Sequence, residues 1–191
     1  MTGSEFLPSV ELRFGESWTD DVRYLLRLAC ATPNEQPDLR CVRDVIDIVI
    51  GGDNLTAQLG EDSIFVLLAD LLAGLGDLVA GRRHKVIIEF QEAPWELVLA
   101  RHSQKVAISL YCVVPGHDVA VHDRIAPLEH VVAAVVASAD ELAARLEAIS
   151  TGLSSHPMVV VPANLRRPPV PMKGGCAIPP SAFSTKREPE V

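Results

Sequence analysis

The chain has 191 residues, a formal net charge of −8 and 48% hydrophobic residues, with aromatics supplying only 5%. That length suits one domain with a sizeable core, and an apolar share made mostly of Val, Leu, Ile and Ala suits a buried sheet under aliphatic helices. The acidic balance excludes a general nucleic-acid binder, because a phosphate backbone attracts dense Lys and Arg.

Val10-Glu11-Leu12-Arg13-Phe14 alternates apolar and polar, the period of a half-buried strand. Ser17-Trp18-Thr19-Asp20-Asp21 places a capping residue and two carboxylates at a helix start, and Val22, Leu25, Leu26 and Ala29 follow at helical spacing. Residues 32–38, with Pro33 and Pro37, read as a loop. Val42, Ile46, Ile48 and Ile50 line a strand, and Leu55, Ala57 and Leu59 repeat with period two after Gly51-Gly52-Asp53-Asn54. That turn resembles the opening of the Gly-Gly-Asp-Glu-Phe turn of diguanylate cyclases, which presents amides and carboxylates to nucleotide and metal. Asn54-Leu55 stands where that motif carries Glu-Phe, and a Gly-rich hairpin is the reading taken.

Glu61-Asp62-Ser63 opens a long apolar helix ending near Gly81, with Arg82, Arg83 and Lys85 at its C-terminal end. Its 18-residue apolar run rises only about 27 Å and is interrupted by Asp70 and Asp77, so a buried core helix is expected rather than a membrane span. Asp70, Gly74, Asp77 and Gly81 share one stripe of it; the two carboxylates sit roughly 10 Å apart, too far to share an ion, and the glycines suit close backbone packing. From Lys85 to Ile125, four alternating runs separated by short polar loops predict an antiparallel meander. Pro127 opens a helix carrying Leu128, Val131, Val132 and Val135, and Ser138-Ala139-Asp140-Glu141 reads as a capping box that starts a second. Beyond Thr151 the chain turns Pro-rich and net basic; 158–161 is a candidate edge strand and the remainder is expected to be extended or disordered.

The expected fold class is therefore α+β: a mainly antiparallel sheet in the order β-α-β-β-α-β-β-β-β-α-α, with helices mostly on one face. Residues 1–150 form the single globular domain, and 151–191 the Pro-rich tail.

Candidate site residues are few. Trp95 follows a Pro turn and is flanked by acids, which suits either an interface anchor or the closing of a core end. His117, Asp118, His122 and Asp123 cluster around the last hairpin; imidazoles and carboxylates are metal-ligand types, but no third ligand is set by spacing and no metal or cofactor is expected. Cys30, Cys41, Cys112 and Cys176 match no metal or redox spacing. No P-loop, Gly-x-Ser-x-Gly elbow, His-Glu-x-x-His or Gly-x-Gly-x-x-Gly motif is present in the sequence. Runs 45–50, 86–88 and 106–108 are apolar on both faces, which points to a sheet face or edge covered by another chain.

The function expected is thus a non-catalytic protein-interaction module, a subunit or adaptor of a larger bacterial assembly. A protein partner or homo-oligomer, no nucleic acid, no membrane span and a cytoplasmic location go with it. The alternatives are a regulatory domain binding a small ligand in an apolar pocket between the sheet and the helix at 63–81, bounded by Trp95 and Tyr111, and an enzyme using His117 or His122.

Overall fold

The computed structural model describes residues 8–29, 37–114 and 119–166. They form an α+β fold of two four-stranded antiparallel sheets and three α-helices. The first sheet is centred on β2 (Arg43–Ile50), which pairs with β1 (Val10–Phe14), β3 (Asp53–Asn54) and β4 (Glu61–Ser63). The second is the meander read from the sequence: β5 (Lys85–Glu89), β6 (Trp95–His102), β7 (Lys105–Cys112) and β8 (Val119–Pro127), in that spatial order. Helix α1 (Trp18–Ala29) follows β1, α2 (Ile64–Val79) links the two sheets, and α3 (Leu128–Ile149) follows β8. No described helix is long and apolar enough to cross a membrane.

Alternation sets which face of the meander is buried. Val86 and Ile88 of β5 lie opposite Leu99 and Leu97 of β6, which in turn face Ile108 and Leu110 of β7. All six join one hydrophobic cluster with Leu12, Ile48, Leu71, Val131 and Val135. Apolar burial of this kind is worth about 1.5–3 kcal/mol per fully buried aliphatic side chain.

Helix α2 is buried over most of its circumference, as its composition implies, and approaches β5 through Gly74. A Cβ at Gly74 would stand 2.6 Å from Val86 Cγ1, so the missing side chain sets the helix–strand distance. Gly81 ends the helix at φ +69°, where a residue without Cβ is least strained, and Arg82 N–H caps the Asp77 carbonyl at 3.0 Å. Gly74→Ala is expected to destabilise the protein by about 1–2 kcal/mol in urea unfolding, overpacking outweighing the helix-propensity gain. Val86→Ala in the same chain should recover part of that loss, whereas two independent sites would add.

Three buried polar side chains tie distant segments together. Asp44, 4% exposed, accepts from Ser17 Oγ and Trp18 N, each at 3.0 Å, and so caps α1 from the neighbouring strand. Asp62, 2% exposed, accepts from the backbone N–H of Ser63, Gln91 and Glu92 at 2.6, 3.1 and 3.0 Å. It thereby fixes the turn between β5 and β6 against β4, and an Arg43–Glu92 ion pair at 2.6 Å lies across the same junction. Thr56 donates its hydroxyl to Ile46 O and accepts from Ile48 N–H, at 2.6 and 2.9 Å.

Several expectations are corrected. Residues 55–59 form no strand: Leu55 N–H bonds to Ile48 O, the Thr56 hydroxyl takes up Ile46 O and Ile48 N–H, and the chain leaves as a turn before Glu61–Ser63 pairs as β4 instead of opening the helix. The two helices expected after Pro127 are one 22-residue helix. Ser138 does not cap a second helix, because its hydroxyl is taken up by Leu12 O at 2.6 Å and Ala134 O at 3.0 Å. The stretch after 151 packs on the helices: Leu153, Val159, Val161 and Leu165 are buried, Asn164 donates to Gly76 O, and Arg166 pairs with Asp140. Residues 158–161 form no strand. Finally, the strands divide into two sheets rather than one.

Candidate functional site

Helices α2 and α3 meet the meander on the face of Leu97, Leu99 and Ile108. The opposite face is organised by register into rows of side chains about 6.6 Å apart along the strands. One row is Lys85, Ala100, Ala107 and Ile125; the next is Ile87, Val98 and Ser109; the third is Glu89, Glu96 and Tyr111. His102 and Lys105 pair beyond the first row. Ile87 and Ile125 stand up from the outer strands at 49% and 55% exposure, while Val98, Ala107 and Ser109 lie low between them at 8%, 6% and 3%.

The face is thus graded along the strands. Lys85, His102 and Lys105 occupy one end, aliphatic and small side chains the middle, and Glu89 and Glu96 the other end. A bulge extends the acidic end. The β7–β8 register shifts around Leu110, and Asp123 adopts φ +48°, a conformation that Asp tolerates better than most residues. Asp123 N–H donates to Ser109 Oγ at 3.0 Å, and Ser109 Oγ donates in turn to Asp123 Oδ1 at 3.1 Å. His122 then lies 2.9 Å from Asp123 Oδ2 through Nδ1, its ring edge-on to Tyr111 with centroids 6.3 Å apart.

Of the four candidate residues, Tyr111 and His122 are therefore brought together on this face. Trp95 is not with them: it lies opposite Cys112, so its side chain shares the face of Leu97 and Leu99. Trp95 and Tyr111 consequently flank different faces of the sheet and do not bound one pocket. His117 lies outside the described residues. The cavity between α2, α3 and the two sheets measures about 20 Å³, room for one water and no organic ligand.

Ser109, Asp123 and His122 are the residue types of a nucleophilic triad, but in an order that does not activate the serine. The carboxylate sits between hydroxyl and imidazole, whereas a base must take the hydroxyl proton directly. Among the described residues no group of three or more His, Cys, Asp or Glu is placed to hold a metal ion. The Asp70 and Asp77 carboxylates act separately. Packing around Asp70, and then the Glu89 charge, push its carboxyl above the ordinary range. Asp77 instead pairs with Arg82 and Arg83 at the helix end.

Ile87, Ala100, Ala107 and Ile125 were not singled out as site residues from the sequence. The signal for two of them was present, in strands apolar on both faces. No family model matches the chain, and neither a curated protein nor a solved structure matches it significantly.

Proposed function

We propose that the protein is a non-catalytic interaction module that docks through the outer face of the meander, and that its first partner there is a second copy of the same chain. The observation that carries this reading is the charge gradient across an aliphatic middle. Two such faces stacked about a two-fold axis lying across the strands bring the basic end of each copy over the acidic end of the other. His102 and Lys105 then lie over the partner's Glu96, and Lys85 lies over the partner's Ile87, one row from the partner's Glu89 and within reach of it. An axis along the strands would stack like charges, so the gradient selects one arrangement. Low side chains at Val98, Ala100 and Ala107 let the sheets approach to the roughly 10 Å of face-to-face packing.

The face measures roughly 20 Å by 20 Å from strand spacing and rise, which places the interface at the small end of specific contacts and its affinity in the micromolar range. Sedimentation velocity of the full chain between about 1 and 200 µM tests it. A monomer–dimer equilibrium within that range, weakened by salt, is expected. A monomer throughout counts against the reading, as does a larger assembly that salt leaves unchanged.

A further inference from the structure

A sheet edge presents main-chain N–H and C=O groups that can template another strand, and folds blunt such edges with bulges, proline, short strands or a covering element. Among the described residues every edge but one is treated in this way. β8 carries the bulge with Asp123 at φ +48° and ends in Pro127. β1 turns its outer edge to α3, where Ser138 Oγ donates to Leu12 O. β3 and β4 are two and three residues long. β5 has none of these devices: its five residues pair with β6 without a register shift and include no proline.

Register fixes which groups β5 leaves open. Arg101 N–H donates to His84 O and Phe90 N–H to Trp95 O, so the even-numbered residues bond to β6. Lys85, Ile87 and Glu89 therefore turn their main-chain groups outward. Among the described residues these groups meet one contact, from Gln91 Nε2 to Glu89 O at 3.5 Å, the limit of a hydrogen bond. The side chains add a polarity. Lys85 and Glu89 stand on either side of the half-exposed Ile87, and neither has an ion pair among the described residues. Neighbouring charges repeat that polarity: Arg82 and Arg83 precede Lys85, and Asp70 of α2 lies near enough to Glu89 to feel its charge.

We propose that β5 is a strand-pairing edge whose partner is β5 of a second copy, antiparallel about a two-fold axis through Ile87. Lys85 then faces the partner's Glu89, Ile87 faces the partner's Ile87, and each facing pair exchanges N–H and C=O both ways. The sequence basic-x-apolar-x-acidic is its own complement in this arrangement, which is what selects a second copy as the occupant. The two meanders join into one continuous sheet across a gap of about 4.8 Å. This contact lies in the plane of the sheet and leaves the outer face free, so it is a second interface rather than a version of the stacked one.

NMR of the full chain carrying Ile125→Asp tests it, because that substitution opposes stacking at the far edge of the meander and leaves β5 untouched. Between about 0.05 and 2 mM, the Lys85, Ile87 and Glu89 amide signals of the ¹⁵N-labelled chain are expected to move along a saturable curve. The Val86 and Ile88 amides, already bonded to β6, should stay in place. Lys85→Glu faces acid with acid at both ends of the pairing and should weaken it at least tenfold. Adding Glu89→Lys should restore it, and both side chains are exposed, so the fold is kept. Signals that stay fixed up to about 2 mM overturn the proposal and leave the edge to a strand of different sequence. It is equally overturned if Lys85→Glu changes nothing or if the double variant fails to recover. A wild-type chain that never stacks contradicts the face reading alone, whereas fixed β5 signals in a chain that does stack contradict the edge alone.

Discussion

Asp62→Ala is expected to cost about 3–5 kcal/mol and to lower the melting temperature by roughly 10 °C or more. Asp62 is a buried carboxylate that accepts three backbone N–H groups drawn from two segments nearly thirty residues apart. Removing it leaves all three donors short of an acceptor at once. It also frees the β5–β6 turn from β4, so hydrogen exchange at Gln91 and Glu92 should accelerate together. Asp62→Asn provides the internal control. Oδ1 accepts from both Ser63 and Gln91, and those bonds survive in the amide; the Glu92 N–H, which Oδ2 accepts, would then meet an NH₂ donor. Asn should therefore cost about 1–3 kcal/mol, between wild type and Ala. Equal losses for Asn and Ala in urea unfolding would mean that charge rather than acceptor count holds the turn.

The second large effect concerns association. Stacked about an axis between the Lys85 and Ile87 rows, each Ile87 lies over the partner's Lys85 and each Ile125 over the partner's Asp123. Ile87→Arg and Ile125→Asp would then each place like charges together, twice per dimer because the interface is two-fold. Self-association should weaken at least a hundredfold, the equivalent of about 2.7 kcal/mol, while the melting temperature of the monomer holds, both side chains being about half exposed. The opposite signs give the sharper result. Ile87→Asp and Ile125→Arg face opposite charges and should lose far less. Should all four variants associate alike, as measured by light scattering over a dilution series, this stacking is wrong.

Much of the architecture was legible because the meander obeys one local rule. Val86 and Ile88 in β5, Leu97 and Leu99 in β6, and Val106, Ile108 and Leu110 in β7 recur with period two within their strands, and the structure buries all of them. Local signals misled where a single side chain formed a long-range bond. Thr56 sits in a period-two run, yet its hydroxyl occupies the β2 edge that the run would need. Ser138 has the spacing of a capping box, but Leu12, 126 residues away in sequence, accepts its hydroxyl hydrogen and the helix runs on. Asp62 read as a residue at a helix start, and nothing near it in sequence announces Gln91 and Glu92 as its partners.

The candidate sites divide along the same line. Apolar residues on both faces of 86–88 and 106–108 already pointed to a covered sheet face, but the charge gradient emerges only when four strands are set in register. His122 and Asp123 were visible as a pair, although the bulge that turns them towards Tyr111 depends on Ser109.

Zero-length carbodiimide cross-linking of a dimer mixed from ¹⁴N and ¹⁵N chains tests the docking face most directly, because mixed-isotope cross-links arise only between protomers. Lys85–Glu89 and Lys105–Glu96 cross-links of mixed mass are the predicted result. Mixed-mass cross-links confined to other surfaces, or Lys–Glu links of single-isotope mass alone, would contradict it.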